Sequence, residues 1–265
     1  MRSSSVVADW AGLKRAVSRG LGHASHMAER IAVITGGSRG IGLAAAHELG
    51  RLGFRLVIVG QHGDRVAHAV EQLAAHGCDA VPVVVDVSDG VAVHRELGEH
   101  PLAQGAEVLI TSAGVMSEKM AKTLRTSATE WDRVMGVNLN GTFHVVSAIA
   151  PAMAQRRLGR IITVSACLGR FSGPGLAGGL APYRISKAGV NALTKNLAAE
   201  LGMGTRGVLV DAMCPNHTRT DMGGPDAPLS VAEGADTAIW LATREFNPEN
   251  DKTGFLWEER RIVEW

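Results

Sequence analysis

The stretch Ile31-Ala32-Val33-Ile34-Thr35-Gly36-Gly37-Ser38-Arg39-Gly40-Ile41-Gly42 decides how this chain folds. Five apolar or β-branched residues read as a buried strand, a glycine-rich turn follows, and a helical pattern begins at about Ile41. Gly36 allows a tight turn, while Gly40 and Gly42 let the backbone approach a pyrophosphate seated on the helix N-terminus. The spacing is Gly-x-x-x-Gly-x-Gly rather than Gly-x-Gly-x-x-Gly. An isolated glycine cluster is explained by an ordinary turn, but its position behind a first strand and ahead of a helix favours phosphate binding.

Outward from this turn, short Val/Ile-rich runs alternate with longer helical patterns. Strands are predicted at Ile31 to Thr35, Arg55 to Val59, Val81 to Val85, Glu107 to Thr111, Arg160 to Val164 and Gly207 to Ala212, with a last one near 254–257. Helices are predicted near 41–52, 64–76, 89–100, 128–156, 183–202 and 230–243. Strict alternation, with strands apolar on both faces, predicts a parallel sheet covered on both sides. The fold class is therefore α/β: a Rossmann-like, doubly wound parallel sheet of about seven strands, in a single domain over 27–265.

Composition agrees with that reading and narrows the function. The chain has 265 residues, of which 46% are hydrophobic and 20% charged, enough for a sizeable core. A net charge of +1 gives no concentrated basic face, so no nucleic-acid partner is expected. No apolar run spans a bilayer, so no membrane partner is expected either. Cys78, Cys167 and Cys214 form an odd set without metal-ligand spacing, which predicts core thiols, no metal site and a cytoplasmic location. Residues 1–26 are set apart as an extension: they are basic and serine-bearing, and Met27-Ala28-Glu29-Arg30 leads directly into the first strand. An upstream start is preferred there over a targeting segment.

The strand ends carry the candidate site. An acid at the end of the second strand would hold the ribose hydroxyls of NAD. Here Gly60-Gln61-His62 offers none, and Arg39 suits a 2′-phosphate, so NADP is expected and NAD is less favoured. Asp86-Val87 follows the third strand and Ser112-Ala113-Gly114 the fourth. Asn138 lies inside a long helical stretch, where an Asn is locally unfavourable unless its amide is used. Farther on, Tyr183-Arg184-Ile185-Ser186-Lys187 heads an alanine-rich helix, and its Tyr and Lys, four apart, share one face. A unit charge ~4 Å from the phenol, at an effective dielectric of ~20, is worth ~4 kcal/mol, or roughly three pKa units toward the phenolate. That makes Tyr183 a usable acid or base.

In this order and spacing the motifs resemble the short-chain dehydrogenase/reductase family, from about Met27 to Trp265. The resemblance implies that Tyr183 is the general acid/base, that Lys187 binds the nicotinamide ribose and lowers the tyrosine pKa, and that Asn138 supports a water-linked proton relay. It implies cofactor contacts from Gly36, Ser38, Arg39, Gly40, Ile41, Gly42, Gln61, Asp86, Val87, Ser112, Ala113, Gly114, Tyr183 and Lys187. The stretch Cys214 to Gly224 is similar to the family's Pro-Gly turn and nicotinamide-contacting threonine, adding Pro215, Thr218 and Thr220. With the C-terminal Thr253 to Arg261 it resembles the carbonyl-reductase-like branch, which implies NADPH-dependent reduction of a small ketone or aldehyde. A fold relative with little or no turnover, an alcohol dehydrogenase and a 3-oxoacyl reductase are the alternatives. Many relatives pair the helices near 128–156 and 183–202 into homodimers or homotetramers, and the same is expected here.

Three positions depart from the family pattern. Ser112 stands for the usual Asn, and Asn216 stands for the Gly after Pro215, which Asn tolerates because it visits the left-handed region. The third departure concerns the substrate-orienting serine: alignment on Gly169 puts Ala166 at its position. Neighbouring strand residues point to opposite faces, so Ser165 is no automatic substitute. Ser165 in a shifted register, Ser172 from the following loop, or no serine at all remain open.

Overall fold

The computed structural model describes residues 29–117 and 122–265; the expected extension 1–26 lies outside them. Eight strands form one sheet in the order β3-β2-β1-β4-β5-β6-β7-β8. Their ranges are β1 Ile31–Thr35, β2 Arg55–Gly60, β3 Ala80–Val84, β4 Val108–Thr111, β5 Gly159–Val164, β6 Val208–Met213, β7 Leu256–Glu258 and β8 Arg261–Val263. All pairings are parallel except β7 with β8, an antiparallel strand that the sequence reading missed. β8 is only three residues long, two of them exposed, so it carries neither an apolar run nor an alternation to announce it.

The helices are α1 Gly40–Arg51, α2 Gly63–Ala75, α3 Gly90–Gly98, α4 Pro101–Gln104, α5 Ala128–Met135, α6 Gly141–Arg156, α7 Ala181–Glu200 and α8 Val231–Thr243. Strand alternation divides the apolar residues between two cores. In β1, Ile31 and Val33 face the core shared with α3, α4, α6 and α7, while Ala32 and Ile34 face the core shared with α1, α2 and α8. Burial of both strand faces is why the strands read as continuous apolar runs. Pro82, which lacks a ladder donor, is tolerated because β3 lies at the sheet edge.

One buried acid ties the C-terminal strands to the sheet. Asp211, in the middle of β6, accepts hydrogen bonds from Arg244 Nη2 (3.0 Å), Thr253 Oγ1 (3.1 Å), the amides of Gly254 (3.0 Å) and Phe255 (3.3 Å), and Trp257 Nε1 (2.9 Å). Five donors on one carboxylate offset the cost of burying it, and they hold the segment that enters β7.

Strand order reverses between β1 and β4, where β1 turns outward to β2 and β4 to β5. The crevice at the carboxyl ends of these strands is where ligands of such sheets bind.

Candidate active site

A cleft of about 390 Å³ occupies that crevice. At one end lies the turn after β1. Gly36 has φ +63°, and a Cβ there would sit 2.8 Å from the Ala113 amide nitrogen, so the turn packs against the end of β4 only because it is glycine. A Cβ on Gly42 would meet the Gly36 carbonyl at 2.4 Å, so Gly42 shapes the turn from behind. α1 begins without a side-chain cap and without an acid in its first turn. Its first amides are therefore available to an anion, and the helix dipole favours one. A glycine cradle with an uncapped helix start fits the pyrophosphate of a dinucleotide.

Beside the turn, Gln61 Nε2 donates to Asp86 Oδ2 (2.6 Å), and Asp86 Oδ1 accepts from the Ser88 amide (2.9 Å) and hydroxyl (2.7 Å). Arg39 is ion-paired with Asp221 of the 217–229 loop, and both side chains line the cleft. The Arg39 expected to meet a 2′-phosphate thus also latches that loop over the cleft.

The other end is built on α7. Leu180 in the left-handed region (φ 52°) and Pro182 in the first turn set the helix start, so that Tyr183 and Lys187 enter on one buried face. The Lys187 ammonium donates to the Val164 carbonyl (2.7 Å) and lies 5.9 Å from the Tyr183 ring centre. Burial lowers Lys187 from 10.5 to about 8. Burial also pushes the Tyr183 phenol up, with Cys214 and Cys167 adding to the rise. The expected lowering of the phenol by its lysine is therefore corrected: burial of the phenolate sets the direction of the shift, and the ammonium is aimed at a backbone carbonyl.

Asn138 explains the break in the long helix predicted over 128–156. Residues Gly136–Asn140 form a π-helical turn between α5 and α6, a geometry concentrated at functional sites. Its amide is used in full: Nδ2 donates to the Val115 carbonyl and to Ser186 Oγ (both 3.0 Å), and Oδ1 accepts from the Val115 amide (2.8 Å). Thr142 Oγ1 donates to the Asn138 carbonyl (2.7 Å). Asn138 thereby fastens the end of β4 to α7 from just behind the cleft.

Most of the expected residues meet in the cleft wall: Gly36, Ser38, Arg39, Gly40, Ile41, Gln61, Asp86, Val87, Ser112, Ala113, Gly114, Ser165, Tyr183, Lys187, Pro215 and Thr220. Gly42, Asn138 and Thr218 are not in the wall. Thr218 is buried and donates to the Pro215 carbonyl (2.7 Å), holding the turn in which Asn216 adopts φ 56°. Of the three serine options, Ser165 Oγ is buried and donates to the Lys187 carbonyl (3.2 Å). Ser172 lies outside the wall and accepts from Arg170 Nη2 (3.2 Å). Ala166, 7% exposed, is the residue that packs with Tyr183, Val134, Leu168 and Leu180.

Sequence reasoning missed His62, Arg65, Arg219 and Met222, which also line the cleft. The signal for Arg65 was present: it stands within the first turn of α2, directly behind a strand end that lacks an acid.

Comparison with known proteins agrees with this architecture. The short chain dehydrogenase family profile matches residues 30–228. The 3-oxoacyl-[acyl-carrier-protein] reductase FabG of Aquifex aeolicus is 34% identical over 195 residues, covering 73% of this chain and 75% of the relative. The FabG of Staphylococcus aureus (strain Mu50) is 34% identical over 193 residues, covering 72% and 75%. A Brucella melitensis 3-oxoacyl-[acyl-carrier protein] reductase with bound NAD superposes with a TM-score of 0.74 at 31% identity, covering 87% of this chain and 89% of that one. Among the described residues no helix is long and apolar enough to cross a membrane, and no group of three or more His, Cys, Asp or Glu is placed to hold a metal ion.

Proposed function

This chain belongs to the short-chain dehydrogenase family, an oxidoreductase family, and from that premise we propose that it is an NADPH-dependent reductase of carbonyl groups. The observation that carries the proposal is the shared cleft: an anion-ready helix start at one end, and a buried Tyr183–Lys187 pair on one helix face at the other. NADPH, when bound, supplies the hydride.

The protein's part is orientation and a proton. Gly36, Gly40 and the first turn of α1 suit the pyrophosphate, while Arg39 and Arg65, with His62, supply positive or donor groups where an NAD enzyme would carry an acid. Asp86, already held by Ser88 and Gln61, is fixed for a directional contact rather than a mobile one. Tyr183 delivers a proton to the substrate oxygen as its carbon is reduced. A phenol held protonated by burial suits that direction, since a reductase needs the acid form. Lys187, donating to the Val164 carbonyl, is positioned to steady both the cofactor ribose and the phenolate left after proton transfer.

The substrate is proposed to be a small ketone or aldehyde. A second reading, reduction of a 3-oxoacyl thioester, is favoured by the names of the relatives at 34% identity. Self-association into a dimer or tetramer is proposed through α6 and α7, which leave Phe143 52% and Ile185 43% exposed; light scattering measures it.

NADPH consumption against a panel of ketones, aldehydes and 3-oxoacyl thioesters, with Tyr183→Phe alongside, tests the reaction. The expected result is turnover in the parent and its loss in the variant with NADPH binding retained. Binding without consumption of NADPH by either protein, across all three substrate classes, replaces the enzyme reading with that of a nucleotide-binding relative. Equal affinity for NADH and NADPH overturns the cofactor preference.

A further inference from the structure

We propose that Cys167 and Cys214 form a hydroperoxide-reactive dithiol site, in which Cys167 reacts first with the peroxide and Cys214 closes an intramolecular disulfide. The placement comes from the sheet. β5 and β6 are neighbours in register, with Val164 opposite Met213, and the Ser165 amide still donates to the Met213 carbonyl (2.8 Å) beyond the last paired residues. Cys167 opens the short turn Cys167–Gly169 after β5, and Cys214 is the first residue after β6. The two thiols therefore leave adjacent strands at the same sheet edge. Cys214, 2% exposed, packs with Ala212 and Leu256, and Cys167 packs against that cluster.

The two positions differ in the way a reactive pair requires. Cys167 is only partly buried, whereas Cys214 is enclosed. The Cys214 side chain beside it lowers Cys167 to about 7, and the same pairing pushes Cys214 up, while the Cys214 thiol itself donates to Asn216 Oδ1 (3.9 Å). Glu258 opposes the lowering and Arg170 assists it. Near neutral pH a large share of Cys167 is thiolate, the nucleophilic form, packed against the cluster that holds Cys214. A second cavity of about 280 Å³ is bordered by Cys214, Pro215 and Asn216. Cys78 lacks these features: it is buried against Gly50, and burial raises its thiol.

The chemistry balances with a hydroperoxide as oxidant. The Cys167 thiolate attacks one peroxide oxygen, a sulfur–oxygen bond forms, the oxygen–oxygen bond breaks, and the leaving oxygen takes a proton to depart as water or an alcohol. Cys214 sulfur then attacks the sulfenic sulfur, the disulfide forms, and the sulfenic hydroxide leaves as water with the Cys214 proton. Two thiols lose two electrons and one peroxide gains them. The product lacks the Cys214 thiol proton that is donated to Asn216 Oδ1 (3.9 Å), at the head of the turn that supplies Pro215 and Thr220 to the cleft wall.

The test is to treat the full chain with a small molar excess of hydrogen peroxide, then alkylate and digest with trypsin. The expected result is a fall from three free thiols to one, a linked pair of peptides 161–170 and 207–219 about 2 Da lighter than their sum, and reversal by dithiothreitol. In Cys214→Ser, dimedone is expected to label Cys167; in Cys167→Ser, Cys214 is expected to stay unmodified. Any of three results overturns the proposal: irreversible sulfinic or sulfonic acid at Cys167 without a link, a bridge between chains in its place, or modification of Cys78 ahead of the pair. Should Cys214→Ser fail to fold, the linked-peptide measurement on the unaltered chain decides alone.

Discussion

Replacing Ala166 by serine is the most informative single change in this protein. Ala166 has extended backbone angles (φ −158°, ψ 152°) that any residue accepts, and its methyl group packs against Tyr183 at the end of β5. A hydroxyl there stands beside the phenol, where a substrate oxygen must come to receive a proton. One well-placed donor of this kind is worth about 10²–10³ in kcat, or ~2.7–4 kcal/mol of transition-state stabilisation. The opposing cost is a buried hydroxyl at a site only 7% exposed, ~1–3 kcal/mol if no partner is found, which reads out as a lower Tm rather than a lower rate. The expected result for Ala166→Ser is therefore a gain in kcat of about 10² or more in NADPH oxidation with a reactive ketone, with NADPH affinity unchanged. The paired control is Ser165→Ala. Because Ser165 Oγ donates to the Lys187 carbonyl, its loss is expected to change kcat by less than about tenfold. An unchanged rate in folded, NADPH-binding Ala166→Ser, or a fall of about 10² in Ser165→Ala, would refute the reasoning.

Other expectations follow from burial and geometry. Lys187 has its pKa depressed from 10.5 to about 8, so the cost of burying its charge is fully present below pH 8 and disappears as pH rises to 10.5. That shift corresponds to ~3 kcal/mol, so Lys187→Met is expected to raise Tm at pH 7 while abolishing turnover, and the advantage should vanish near pH 10.5 in thermal melts. Tyr183 is shifted the other way: its raised pKa withdraws stability above pH 10 in parent and variant alike, but not in Tyr183→Phe. Gly36→Ala combines a left-handed φ, costing ~1–2 kcal/mol, with a Cβ 2.8 Å from the Ala113 amide; loss of NADPH binding by fluorescence titration is expected before loss of the fold. Asp211→Ala removes five accepted hydrogen bonds and leaves Arg244 buried without its carboxylate, with an expected loss of ~3–5 kcal/mol in urea unfolding.

Why some of this was legible from residues alone, and some was not, has a physical basis. The phosphate turn could be read because glycine at Gly36 is forced by both φ and a backbone collision, which no other residue relieves. The sheet could be read because both faces of β1 and β4 are buried, leaving no charged interruption to confuse the pattern. Asn138 was flagged because an unused amide inside a helix is costly, yet the π turn that answers it depends on Val115 and Ser186, distant in sequence. The Arg39–Asp221 latch joins residues 182 apart, and nothing local to either announces it.

The phenol is the sharper case, because the sequence argument and the structure use the same two residues and reach opposite signs. A spacing of four residues fixes a shared helix face, and with it proximity, but the sign of a pKa shift also depends on how much water both groups lose. Tyr183 and Lys187 are both enclosed, so each is driven toward its neutral form, and the ammonium spends its short hydrogen bond on the Val164 carbonyl. A pair poised in this way holds the phenol as an acid and the lysine close to losing its charge. The rate of carbonyl reduction should therefore fall as pH rises through about 8, with the ammonium as the group lost, and reduction should run better than oxidation at neutral pH. A kcat/KM profile that is flat from pH 7 to 10 would mean that the proton resides elsewhere.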